Sequence, residues 1–390
     1  MSAPDTQAPR ARVSAWLEWL AVAAIIVAGF SLYSARLKPH LVNSYDQVLY
    51  LSMAGQLLDG ATLGRSPPSE TTNGVRAARV GPERPFPMAI APLYPAFIAA
   101  LAAIDGPLNR TVRCVSMPPE SNVNTCPNEL GILVWAQLAL AIGTSVILWR
   151  TAYAVTRSKP IALLALAAAS FGSAEYAEYA HAAMTETLSF FFFAAFDLSF
   201  LVAVQRRTSR AALVSGLCLG AATLTRPAFL YLGLIVVVAA FGWMLWSAVV
   251  RRGRPACFPA GSLGAIFLGG FACLVAPWIL RNYLVFGVAD VTQGYGANTL
   301  IQRLAYDGMS AGEWLVGFIY FLPDFGHSWA KALFSPGAFR RLSYDAPDAF
   351  YVIGARDAAA APLALQLPFL KTSESMGNHD SEIVDAFGVD

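Results

Sequence analysis

Two carboxylates and two guanidinium groups stand beside apolar runs in this chain, a combination suited to chemistry on an anionic lipid. Asp46 lies in Asn43-Ser44-Tyr45-Asp46-Gln47-Val48-Leu49-Tyr50, straight after the first long apolar segment. At helical spacing Asp46, Tyr50, Ala54 and Leu57 share one face, with Met53 beside them. A carboxylate heading such a stripe points toward a membrane edge. The same spacing has a structural explanation. Ser44 and Gln47 form a capping box, which puts Asp46 in a first turn where the helix dipole favours negative charge. Glu186, in Thr185-Glu186, opens a second apolar run, and Glu175, Glu178 and His181 precede it. Ionisable residues at the head of an apolar helix are costly and often functional. Capping of free N–H groups by Thr185 or Glu186 accounts for them as well.

Arg226, in Thr225-Arg226-Pro227, and Arg281, in Pro277-Trp278-Ile279-Leu280-Arg281-Asn282-Tyr283, fall on the side of the membrane that basic residues tend to avoid. An arginine held there calls for an anion, and a guanidinium takes phosphate bidentately. Snorkelling to headgroups is the alternative. Two such arginines with outer carboxylates suggest a site that binds a lipid phosphate and activates a hydroxyl. Asp197 lies deep in an apolar run and should face the bundle or a water-filled cavity. Asp324 and His327, three residues apart, read as a solvated turn. No Walker loop, strand-borne GxGxxG or HExxH occurs, so soluble nucleotide-sugar binding has no visible site.

The elements that must position these groups are helical and apolar. The chain has 390 residues, 56% of them hydrophobic and only 13% charged, about half the charge of a soluble domain. Apolar runs of about 18 residues or more identify a polytopic membrane protein. The net charge of +2 says little about partners, because placement matters more than sum. Arginine far outnumbers lysine, as in proteins of GC-rich bacterial genomes. Of the five cysteines, Cys218, Cys257 and Cys273 read as small hydrophobes in or beside apolar runs. Cys114 and Cys126 sit in a polar loop and form a disulfide if that loop faces an oxidising compartment.

Residues 1–12 are polar, and Arg10 and Arg12 place them in the cytoplasm. Spans are expected at about 13–33, 131–149, 161–174, 184–204, 211–224, 228–249 and 259–280, about seven in all. The basic connectors Arg150/Arg157/Lys159, Arg206/Arg207/Arg210 and Arg251/Arg252/Arg254 share one side only if the chain is outside near residue 130. It is already outside near residue 40, so 86–105 crosses zero or two times. Prolines in and beside it favour an interfacial or re-entrant element. Residues 35–130 are then one large outer loop carrying amphipathic helices, with Cys114 and Cys126 in it. The chain is expected to leave the membrane core, 13–282, at Arg281-Asn282-Tyr283. Residues 283–390 form an outer C-terminal region. Within it 312–334 is either one irregular span or an outer amphipathic element, and the acidic tail is disordered.

Taken in order, these residues have a resemblance. Asp46 is followed by Tyr50, Ala54, Leu57 and Gly60, then by Ala91-Pro92-Leu93-Tyr94-Pro95, then by Thr185-Glu186. Gly216–Thr223 leads to Leu224-Thr225-Arg226-Pro227, and the series ends in Pro277-Trp278-Ile279-Leu280-Arg281-Asn282-Tyr283-Leu284-Val285-Phe286-Gly287. Over about residues 14–300 the chain resembles the GT-C membrane glycosyltransferases, in the branch of protein O-mannosyltransferases and lipid A aminoarabinose transferase. The resemblance implies a polyprenyl-phosphate-linked sugar donor and inversion at the anomeric carbon. It implies a glycan, lipid or protein acceptor reached at the outer face of a bacterial cytoplasmic membrane. Asp46 and Glu186 would be catalytic, Asp46 as the base on the acceptor hydroxyl. Tyr50, Tyr94, Arg226, Arg281 and Asn282 would bind substrate, the two arginines through the donor phosphate. A divalent metal is left open, and nucleic acid is not expected. Where many members have Asp-Glu, this chain has Asp46-Gln47. It ends at 390 where relatives usually continue, which makes a short branch, a truncated product or a non-catalytic relative an alternative. A transporter or flippase of lipid-linked glycan is the rival from another class, and it would use Asp197.

Overall fold

The computed structural model describes residues 8–35, 45–58, 90–116, 126–171, 179–250, 259–292, 303–322, 326–343 and 346–354. For 8–15, 33, 45, 240–241, 243–250 and 259–261 it describes the backbone alone. Every regular element among these residues is a helix. Three helices are long and apolar enough to cross a membrane: Gly131–Thr156, Glu186–Arg206 and Ser262–Phe286. At 1.5 Å per residue they reach about 39, 31 and 38 Å, against a hydrocarbon core of about 30 Å. The chain is thus an α-helical membrane protein. The expected Ser44 cap, Glu175, Glu178, Cys257, Asp324 and the tail from 355 onward lie outside the described residues.

The described residues divide into two compact units, one running through Pro277 and the other beginning at Trp278 and taking in Ile90. The first unit contains α1 (Ala8–Ala35), α2 (Tyr45–Leu58), α3 (Leu93–Ala102), α4 (Gly106–Ser116), α5 (Gly131–Thr156), α6 (Lys159–Phe171), α7 (Glu186–Arg206), α8 (Ser209–Thr225) and α9 (Phe229–Val250). It also holds most of α10 (Pro259–Phe286).

Two tight turns organise it. Helix α5 stops at Arg157 and α7 at Arg207, each in the left-handed region with φ 55° and 52°. That conformation costs about 1–2 kcal/mol for a residue with a Cβ but ends a helix at once. The chain then doubles back, so α6 runs antiparallel against α5 and α8 against α7. The Gln205 amide donates to the Ala154 carbonyl at 3.4 Å and so joins the two turns. Lys159 pairs with Glu18 of α1 at 2.6 Å, and the Arg150 guanidinium lies over the Trp19 and Trp149 rings. One end of the unit therefore gathers the basic turns and the start of α1.

At the other end α2, α3 and α4 pack into a cap over the helix ends. Its core contains Leu51, Ala54, Tyr94, Ile98, Leu108, Val112, Leu133 and Leu188. The apolar stripe of α2, expected at a membrane edge, packs instead on α3 and α4. Protein contact suits it because both neighbours present complementary apolar faces. With ten residues α3 is about 15 Å long, half a bilayer core, so it makes no span by itself. Cys114 and Cys126 form a disulfide with Cα atoms 5.6 Å apart, closing α4 onto the chain entering α5.

Helix α8 meets α10 at unusually close range. A Cβ added at Gly216 would collide with the Phe267 carbonyl oxygen, and one at Gly270 would lie 2.7 Å from the Leu213 carbonyl oxygen. Glycine at both positions lets two backbones touch, the usual way apolar helices gain contact when lipid supplies no hydrophobic drive.

In the second unit α10 does not stop at Arg281. It continues to Phe286 and ends on Gly287 at φ 75°. The Arg281-Asn282-Tyr283 segment is therefore helical, not a loop, and Pro277 is accommodated inside the helix. Segment 312–334 resolves into two short helices, α11 (Ala311–Tyr320) and α12 (Gly326–Leu333), not one span. They pack around Val316, Ala330, Phe339, Leu342 and Phe350. Ser310 and Glu313 form a capping box that starts α11, and Arg341 reaches Glu313 at 3.3 Å. Trp314, Leu315 and Phe318 of α11 point outward.

The Gly216 contact predicts that Gly216→Leu lowers stability by about 1–3 kcal/mol through overpacking. Gly264→Ala, whose Cβ would meet nothing within 4 Å, should leave stability unchanged or slightly raised. Unfolding of the two variants in mixed micelles checks this.

Candidate active site

The α7–α8 hairpin brings together residues that the sequence keeps far apart. Glu186 is the first residue of α7 and Arg226 directly follows the last residue of α8. Antiparallel packing from a tight turn puts the head of one helix beside the tail of the other. The Arg226 guanidinium donates to Glu186 Oε1 at 2.6 Å. Glu186 is largely buried while Arg226 is 42% exposed, so solvent screens the pair and its worth is roughly 1 kcal/mol or less. Thr185 precedes α7 in helical conformation without a side-chain cap bond. The carboxylate at this helix head is thus engaged by Arg226 and not by helix capping.

Asp46, in the first turn of α2, lies within electrostatic reach of the same pair. Burial is the main cause that pushes its carboxyl above the ordinary carboxylate range. The Glu186 charge pushes the same way, and the Arg226 charge partly opposes it. One turn on, the Tyr50 ring meets Tyr94 edge to face at 5.1 Å. Neighbouring Gln47 is buried and its Oε1 accepts from the Ala183 N–H at 3.4 Å, docking α2 on the turn before α7.

Tyr94 is fully buried, and its hydroxyl donates to Gln137 Oε1 at 2.8 Å. Burial raises its phenol well above the usual range, with smaller contributions from Tyr50 and Glu186. Expected among substrate-binding residues, Tyr94 has no surface for a ligand, because its aromatic bulk fills the α2–α3–α4 core. Gln137 in turn donates to the Ala180 and Ala182 carbonyls at 3.0 and 2.8 Å. Gln137 is not among the site residues expected from the sequence. Its signal was there, as a lone carboxamide in the apolar run 131–149.

Asp46, Tyr50, Glu186 and Arg226 therefore form one cluster at the end of the first unit away from the basic turns. Arg281 and Asn282 belong to the second unit. Asn282 is fully buried and donates to the Asp290 and Val291 carbonyls at 2.8 and 3.3 Å. Its Oδ1 accepts from Arg281 at 2.9 Å. Expected to bind substrate, Asn282 is instead committed to backbone, because the chain turns back on the helix end there. The Arg281 guanidinium lies over the Trp278 and Phe286 rings at 4.9 and 5.0 Å, and the Trp278 indole donates to the Val291 carbonyl. Among the described residues no three His, Cys, Asp or Glu side chains are grouped to hold a metal ion.

A half-buried carboxylate whose proton affinity is raised suits proton abstraction near neutral pH. A partly exposed guanidinium beside it suits an anion that can compete with Glu186. The two neighbours act on Asp46 in opposite directions, which gives a signed prediction. Glu186→Gln should lower the pH at which Asp46 titrates, and Arg226→Gln should raise it. Infrared titration of the Asp46 carboxyl band, assigned by its loss in Asp46→Asn, reads both. Shifts of the same sign, or none, would remove the pair from the surroundings of Asp46.

No family model matches the chain, and neither does a curated protein or a solved structure.

Proposed function

We propose that the chain is an inverting membrane glycosyltransferase that moves a sugar from a polyprenyl-phosphate donor to an envelope acceptor. The observation that carries this reading is the Asp46 carboxyl within electrostatic reach of the Glu186–Arg226 pair at a helix-bundle end. In the proposed reaction the acceptor hydroxyl gives its proton to Asp46. The hydroxyl oxygen forms a bond to the anomeric carbon as the bond from that carbon to the donor phosphate breaks. The electron pair leaves with the phosphate oxygen, and Arg226 balances the charge that develops there. Glu186 holds Arg226 in place and adds to the raised proton affinity that burial gives Asp46. It also supplies the second carboxylate that Gln47 does not. This reading uses Arg226 for the phosphate and does not require Arg281, Asn282 or Tyr94 to touch substrate.

The topology that goes with it takes α1 and α5–α10 as seven spans of a bacterial cytoplasmic membrane. The turns carrying Arg157, Lys159, Arg206, Arg207 and Arg210 face the cytoplasm, following the excess of basic residues in cytoplasmic loops. The cluster then opens on the outer face, where lipid-linked sugars and their acceptors meet. An oxidising outer compartment also accords with the Cys114–Cys126 disulfide in α4 and the chain after it.

The test is Asp46→Asn in purified protein with a polyprenyl-phosphate sugar. Transfer should fall about 10²-fold or more, the scale of lost general-base catalysis, while donor binding stays near that of the unaltered protein. The acid limb of the rate profile should lie above the ordinary carboxylate range, because the rate falls as pH drops through the raised Asp46 pKa. Asp197→Asn should leave transfer unaffected. Flipping of a lipid-linked glycan that survives Asp46→Asn but fails in Asp197→Asn would replace this reading with transport.

A further inference from the structure

The Gln137 side chain makes three hydrogen bonds, yet none of them is to a group of the proposed reaction. It is fully buried on α5, a helix long and apolar enough to span. A neutral carboxamide offers two N–H donors and one carbonyl oxygen. Here the oxygen accepts from the Tyr94 hydroxyl, and the nitrogen donates to both Ala180 and Ala182 carbonyls. A leucine would suit this apolar helix equally well by composition, but it would take the Gln137 partner away from the Tyr94 hydroxyl and the Ala180 carbonyl, which is costly for buried polar groups.

What Gln137 grips is the mounting of the site. Ala180 and Ala183 are fully buried, and the Met184 N–H closes back on the Ala182 carbonyl. The chain is therefore held over residues 180–184, and Glu186 starts α7 two residues later. Gln47 fastens α2 to the same turn through the Ala183 N–H. The element bearing Glu186 and the element bearing Asp46 are thus both tied to a turn that Gln137 anchors to α5. We propose that Gln137 is the positioning residue of this site: its carboxamide holds the 180–183 turn in the setting that puts Glu186 against Arg226 and within electrostatic reach of Asp46. The proposal rests on the reading of Asp46, Glu186 and Arg226 as one site.

The experiment compares Gln137→Met, nearly isosteric but without the three hydrogen bonds, with Tyr94→Phe, which loses only the bond to α3. Both remove buried hydrogen bonds, and both should lower the unfolding temperature. Only Gln137→Met releases the turn. Glu186 then moves away from Asp46, and the midpoint of the Asp46 carboxyl band should fall, because a like charge that raises it has receded. Tyr94→Phe should leave that midpoint where it is. A folded Gln137→Met protein with an unmoved midpoint overturns the proposal, as does an equal movement in Tyr94→Phe. If Gln137→Met does not fold, Gln137→Glu takes its place. Held neutral by burial, a glutamic acid keeps one acceptor and one donor, so it should give a smaller fall, and no fall overturns the proposal. The midpoint is read without any sugar transfer. Failure of the transferase reading would appear separately, as turnover that survives Asp46→Asn.

Discussion

The ion pair between Glu186 and Arg226 is the contact on which the site depends. It exists because a helical hairpin of two apolar elements returns on itself through a single left-handed arginine. Removing that geometry would leave Glu186 as a carboxylate at a helix head and Arg226 as a cation at a helix end, 40 residues apart in sequence. With it, each charge at the end of an apolar helix has a partner, where an unpaired charge is disfavoured. Both members of the pair also act on Asp46, in opposite directions and secondary to its burial. A strong, buried pair would be inert. This one leaves Arg226 exposed enough to exchange partners, a property a phosphate-binding guanidinium needs.

A second constraint is that polar groups near the apolar helices must find partners. The α2–α3–α4 cap is built on that rule. The Tyr94 hydroxyl, the Gln137 amide and the Ala180 and Ala182 carbonyls are bonded to one another. Such networks rigidify the elements they join, because any shift opens an unpaired group in a low-dielectric interior. The small residues of α8 and α10 act in the same direction by a different means. Backbone contact at Gly216 and Gly270 fixes how α8 lies, and Arg226 at its tail inherits that placement.

Some of this was legible in the residues. The apolar runs give helices, and the helices appear within a few residues of where periodicity puts them. The loop cysteines pair as their polar setting suggests. Other features were misjudged for physical reasons. Asn282 is expected to bind substrate, but α10 continues past it and its amide bonds to a returning backbone. Tyr94 is expected to bind substrate, but the cap buries it. The 312–334 run is apolar, yet it forms two short helices that put Val316 and Ala330 into a small core and leave Trp314, Leu315 and Phe318 facing outward. Apolar content alone does not distinguish lipid from protein as the neighbour.

The sequence by itself determined that the chain is helical and membrane-embedded, that its basic turns alternate with carboxylates and arginines, and which residue types could act on a lipid phosphate. These are local properties, set by hydrophobic run length and charge placement. Only the tertiary structure decided which of those groups meet. Gln47 reaches a backbone N–H 136 residues away, and Gln137 a carbonyl 43 residues away. Periodicity shows that a side chain is buried, but its partner depends on how the helices pack. That packing separates Asp46, Glu186 and Arg226, gathered in one cluster, from Tyr94 and Asn282, committed to the fold.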